Sequence, residues 1–132
     1  MATKNNERNS FEVTITGGSR DFDVREKLKI TDPSTAYKID KCPEDMQIPV
    51  ESYAFIHIHN PNADKDNDKD YDQICLLCDD GNCFVTGSES FISQFERIWK
   101  ILTEADEKVI IRPVKIPSKK RVGKYFISCA VV

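Results

Sequence analysis

Over residues 51–59 the chain alternates two kinds of side chain, and few backbone conformations accept that pattern. Ala54, Ile56 and Ile58 fall on one side, and Tyr53, Phe55, His57 and His59 on the other. A period of two is the pleat of a β-strand, so this stretch predicts a strand with one aliphatic face. Asn60-Pro61-Asn62 ends it, and a polar loop runs to Asp72. Residues 73–79 form a short apolar run that reads as a buried strand. Asp80-Gly81 follows, then a second run over 82–86. Asp-Gly between two such runs predicts a two-residue hairpin turn, which would set Cys78 opposite Cys83 and Leu77 opposite Phe84.

Ser88 reads as a helix N-cap. Phe91, Ile92, Phe95, Ile98, Trp99 and Leu102 follow at the spacing of one helical face. Residues 109–116 and 125–132 are β-rich, and the basic, glycine-containing stretch between them reads as the protruding loop of a hairpin. Upstream, residues 11–15 alternate and predict a short strand ended by Gly17-Gly18. Residues 25–30 read as a strand, and 34–39 as a helical turn after Asp32-Pro33. Residues 1–9 are polar and aperiodic, which predicts a disordered tail.

From residue 51 the order is strand, strand, strand, helix, strand, strand. That is the order of the OB-fold, a five-stranded, partly open barrel with one helix between its third and fourth strands. The expected architecture is therefore mainly β: an OB-like barrel over 49–132 and an N-terminal extension over 10–48. An α+β sheet with one helix on a face has a similar element order.

The 132 residues fit one domain, with 39% hydrophobic and 31% charged residues, both ordinary for a globular chain. No apolar run is long enough to span a bilayer, and the first residues lack the apolar core of a secretory signal. A soluble protein of a bacterial host cytosol is expected, with no membrane partner. Five cysteines, an odd number, fit thiols kept reduced there. The net charge of −3 hides an asymmetry. Residues 108–132 carry seven cations and no acid, whereas 60–82 carry seven aspartates against Lys65 and Lys69.

The basic loop is the first candidate site. Lys119, Lys120, Arg121 and Lys124 cluster in a turn flanked by Lys115 and by Tyr125-Phe126. Cations neutralise phosphates and release counterions, and aromatic rings stack bases without sequence preference. Lysines that merely keep a hairpin loop soluble are the competing explanation. The second candidate is the face carrying Tyr53, Phe55 and His57, with His59 beyond, as a stacking platform, unless the N-terminal extension covers it.

Other motifs carry less. Histidines two apart on a strand are neighbours, but no metal is expected. Cys75 and Cys78 lie within an apolar strand, three residues apart, so their thiols point to opposite faces and read as small buried hydrophobes. Cys78 and Cys83, if opposite, would be close enough to oxidise in vitro. Asp64, Asp66, Asp68 and Asp70 resemble a calcium loop, but Lys69 stands at the glycine position and Cys75 at the bidentate glutamate position. With only His57 and His59 as histidines and no nucleophile or phosphate-loop motif, no enzyme and no cofactor are expected.

Three stretches carry a resemblance: Phe84-Val85-Thr86-Gly87-Ser88-Glu89-Ser90-Phe91, Pro117-Ser118-Lys119-Lys120 and Gly123-Lys124-Tyr125-Phe126-Ile127-Ser128-Cys129. Over about residues 50–132 the chain is similar to small single-stranded DNA-binding proteins of bacteriophages and mobile elements of Gram-positive bacteria. The resemblance implies an OB-fold, strand coating in replication or recombination, and binding roles for Lys119, Lys120, Lys124, Tyr125 and Phe126. One departure is the ending Ala130-Val131-Val132, where many such proteins carry an acidic tail that recruits partners.

The sequence thus leads to a non-catalytic, phage-type protein that binds single-stranded DNA, with RNA as the related ligand. A homodimer and a replication-protein partner are compatible with it. The alternative is a phage-encoded inhibitor of a host defence protein, working through the acidic stretch 64–80.

Overall fold

A computed structural model describes residues 12–61 and 69–132. The expected tail over 1–9, Phe11 and the aspartates at 64, 66 and 68 lie outside the described residues. The chain is mainly β, with seven strands and two α-helices among the described residues. In chain order these are β1 (Glu12–Gly18), α1 (Val24–Ile30), β2 (Tyr37–Lys38), β3 (Ile48–His59), β4 (Asp70–Cys78), β5 (Cys83–Thr86), α2 (Glu89–Glu104), β6 (Val109–Pro117) and β7 (Tyr125–Val131). No described helix is long and apolar enough to cross a membrane.

One curled sheet runs β2-β5-β4-β3-β6-β7. β3 is its hub. From Val50 to His59 it pairs with β4, while its other edge is shared between β6 at Ile48–Val50 and β1 from Ala54 onward. The pairing with β4 slips between Val50 and Ser52, a bulge that leaves Glu51 unmatched. An extra residue reverses which side the following residues face. Ile48 and Val50 therefore enter the core under α2, and after the bulge Tyr53 and Phe55 take that side. Ala54, Ile56 and Ile58 turn to the opposite face, where Ile30, Val13, Ile15 and Phe22 cover them. The alternation expected over 51–59 is present; the face of Ala54, Ile56 and Ile58 is buried, and on the other face Tyr53 and Phe55 are packed while His57 and His59 stay partly exposed.

The five strands expected from residue 51 are all formed, and β5-β4-β3-β6-β7 are neighbours in that order. A closed barrel would also join β5 to β7, which are not paired in this sheet. α2 stands between them. Its Phe91, Phe95 and Ile98 share one buried cluster with Phe84 of β5 and Cys129 of β7. The hydroxyls of Ser88 and Ser90 donate to the Ile127 carbonyl at 2.8 and 2.7 Å, which satisfies an acceptor of β7. Ser88 also caps α2 as expected, its side chain accepting from the Phe91 amide.

Two expectations need correcting. Residues 25–30 form a helix, not a strand. Asp23 caps α1 by accepting from the Glu26 amide at 2.8 Å, and the Glu26 carboxylate accepts from the Asp23 amide at 2.9 Å. This reciprocal box, together with burial of Ile30 against the sheet, outweighs the alternation. The β4–β5 hairpin is also one residue out of the expected register. Leu77 faces Cys83 and Leu76 faces Phe84. The Gly81 amide donates to the Cys78 carbonyl and the Cys78 amide to the Asn82 carbonyl, so the loop holds three residues, with Gly81 at φ +89°. A left-handed glycine closing a three-residue loop is a standard alternative to the two-residue turn. The slip places Cys83 opposite Leu77 and in the cluster of Cys75, so Cys78 and Cys83 are not directly opposite as expected.

The first residues are more than an extension with one strand. β1 joins β3, β2 joins β5 in parallel, and α1 covers a sheet face. Arg20 ties this layer to the bulge. Its guanidinium donates to Glu26 at 2.6 and 3.0 Å and to Glu51 at 2.7 and 3.2 Å. The Arg20 bonds, and after them the Asp23 amide, hold the Glu26 carboxyl down at about 2.

Candidate nucleic-acid interface

The β6–β7 hairpin forms as expected, paired from Ile111↔Val131 to Pro117↔Tyr125. Its loop is ordered by its own polar groups. The Ser118 amide donates to the Lys124 carbonyl at 2.9 Å, and the Ser118 hydroxyl accepts from the amides of Lys120 and Arg121. Gly123 sits at φ +78°, the left-handed conformation that turns the chain back toward β7. Lys119, Lys120, Arg121, Val122 and Lys124 are all exposed. Lys115 is exposed at the base, where its amide donates to the Glu44 carboxylate at 3.0 Å. Among the described residues, none of these five cations is in an ion pair.

Tyr125 and Phe126 follow the loop directly and are 63% and 42% exposed, high for aromatic rings. They point to opposite faces, because neighbours in a strand alternate. Ile127 and Cys129 pack into the cluster under α2, so Tyr125 lies on that inner side, together with its partner Pro117 and with Lys115. Phe126 lies on the outer side with its partner Ile116, and with Val114 and Arg112 beyond. Alternation alone points to Arg112 as a further cation, on the outer face.

The rest of the expected site lies elsewhere. From its pairing with β3, β6 runs toward the loop past Ile48, whereas Tyr53, Phe55 and His57 lie beyond Val50 in the other direction. Tyr53 is half-buried and meets Trp99, Phe95 and Phe55 edge-on, with centroids 5.1, 5.4 and 5.5 Å away. α2, and not the N-terminal extension, covers this face at Tyr53 and Phe55. His57 sits between two aspartates of β4, Nδ1 at 2.8 Å from Asp72 and Nε2 at 3.0 Å from Asp70. The Asp72 bond, then the Asp70 bond, raise its pKa above the usual histidine value. Asp70 also meets His59 at 3.0 Å, and these bonds lower its own pKa. Both ring nitrogens of His57 are thus engaged by aspartates.

The cysteines are all buried thiols. Cys75 and Cys78 fall in different clusters, as a separation of three along a strand requires. No group of described residues is arranged to hold a metal ion. A groove of about 960 Å³ opens between β1 and α1, remote in sequence from the basic hairpin and lined by Val24, Leu28 and the edge of β1. Compared with known proteins, the chain matches no family model, no curated protein and no solved structure.

Proposed function

We propose that this protein binds single-stranded nucleic acid, DNA in the first instance, through the tip and flanks of the β6–β7 hairpin, without catalysis. The reading follows the phage-type strand-binding proteins that the sequence resembles, with an OB-like half-barrel as scaffold and the cytosol of a bacterial host as setting. One observation carries it: five exposed cations, whose side chains pair with no carboxylate among the described residues, stand in the same hairpin as two exposed aromatic rings. In an otherwise acidic protein, that concentration of positive charge makes one local attractor for phosphate. Counterion release supplies affinity there, and each ring stacked on a base adds about 1–3 kcal/mol. Tyr53, Phe55 and His57 stand outside the proposed contact, since two are engaged under α2 and the third lies among aspartates.

The test is fluorescence anisotropy of a labelled oligo-dT against the wild type and a variant carrying Lys119→Glu, Lys120→Glu and Arg121→Glu. The wild type binds and the variant does not. Equal affinity for the two proteins removes the hairpin as the site. Absence of binding by the wild type at low salt removes the function.

A further inference from the structure

The two rings stand back to back. Tyr125 shares the inner side of the hairpin with Lys115 and Pro117, and Phe126 shares the outer side with Ile116 and Arg112. A nucleic-acid strand lying along one face meets only one ring. Between the two rings the hairpin is a single β-ribbon thick, and its tip carries Lys119, Lys120, Arg121 and Lys124. Two strands that part around the tip would each find a ring on its own side, and the tip cations would meet phosphates of both.

We propose that the preferred ligand is a junction where a duplex opens into two single strands, with the β6–β7 hairpin entering the fork as a wedge. This rests on the proposed binding of single strands at the same hairpin and names the form of nucleic acid that uses all of it. The terminal base pair of a fork presents its face to whatever enters the crotch, and its two departing bases are already unpaired. Tyr125 stacks on one departing base and Phe126 on the other. Ordered loop geometry supports the role. The Ser118 hydroxyl and the Lys124–Arg121 backbone bond tie the turn together, which lowers the ordering required on entry. The half-buried Val114 and Ile116 back the outer ring with an apolar strip.

Anisotropy with three labelled DNAs tests it: an unpaired oligo-dT, a blunt duplex, and a forked duplex whose dT arms each equal half the oligo length. The fork binds about tenfold more tightly than the oligo-dT, the factor expected from engaging one further ring. Tyr125→Ala and Phe126→Ala each bring the fork down to about the oligo-dT affinity. Both rings are exposed, so each variant keeps the wild-type circular dichroism. A fork bound no more tightly than oligo-dT overturns the wedge and leaves the single-strand reading standing. A blunt duplex bound as tightly as the fork overturns it as well. Failure to bind either the fork or oligo-dT removes the underlying function together with the wedge.

Discussion

Salt dependence gives the sharpest quantitative consequence of the basic hairpin. Lys115, Lys119, Lys120, Arg121 and Lys124 are exposed, and none is neutralised by a described carboxylate. Each phosphate contact on a single strand contributes about 0.7 to the slope of log K against log salt, so five contacts give about −3.5. Raising salt about fourfold, from about 50 to about 200 mM, then weakens binding about 130-fold. Replacing Lys119, Lys120 and Arg121 by glutamine leaves two contacts, a slope of about −1.4 and a loss of about sevenfold over the same range. These positions make no side-chain bonds among the described residues, so the triple variant should change stability by no more than about 0.5 kcal/mol per site. The assay is oligo-dT anisotropy at four or more salt concentrations, beside urea melts of both proteins. A wild-type slope near zero, or equal slopes for the two proteins, refutes the reasoning.

Other consequences follow from the packing. Tyr53→Ala removes the ring at the centre of the aromatic cluster and should cost about 3 kcal/mol in urea denaturation, while the folded variant keeps its oligo-dT affinity; retained stability would mean that the ring is not packed. By NMR titration His57 should titrate above the ordinary histidine value, and Asp72→Asn should lower it. The sign is that of a raised folded pKa. The stabilisation is complete below the unfolded value and disappears as pH rises through the folded one, so Asp72→Asn should matter more at pH 5.5 than at pH 8.5. All five thiols are buried, so a thiol reagent should leave them unmodified in the native protein and titrate all five after denaturation. Rapid labelling of the native protein would contradict the burial.

What the sequence revealed was what period and capping encode locally. The two-residue period over Tyr53 to His59, the Ser88 cap and the helical face through Phe91, Phe95 and Trp99 each depend on neighbours in the chain. The missed features depend on something else. The strand-like alternation at residues 25–30 lost to a capping box whose two members, Asp23 and Glu26, flank its start. The hairpin register turned on a choice between two loops that the same Asp80-Gly81 permits, and the Cys78–Asn82 bond selected the longer. The Glu51 bulge and the pairings of β1 with β3 and of β2 with β5 join segments far apart in sequence, and no local pattern announces them. The basic tip with its two rings was legible as composition. Tyr53 and Phe55 do not stand beside it, because their face of β3 lies on the far side of its junction with β6 and is taken by Trp99 and Phe95. The opposite orientation of Tyr125 and Phe126 follows from strand alternation once their strand is accepted, and it changes what the hairpin is suited to hold.

The most direct test of the hairpin as the binding site is photo-cross-linking of a bromodeoxyuridine oligonucleotide, followed by mass spectrometry of the tryptic peptides. Adducts on the peptide that starts at Tyr125 are the predicted result. Adducts confined to the β3 segment containing Tyr53 and Phe55 would contradict it.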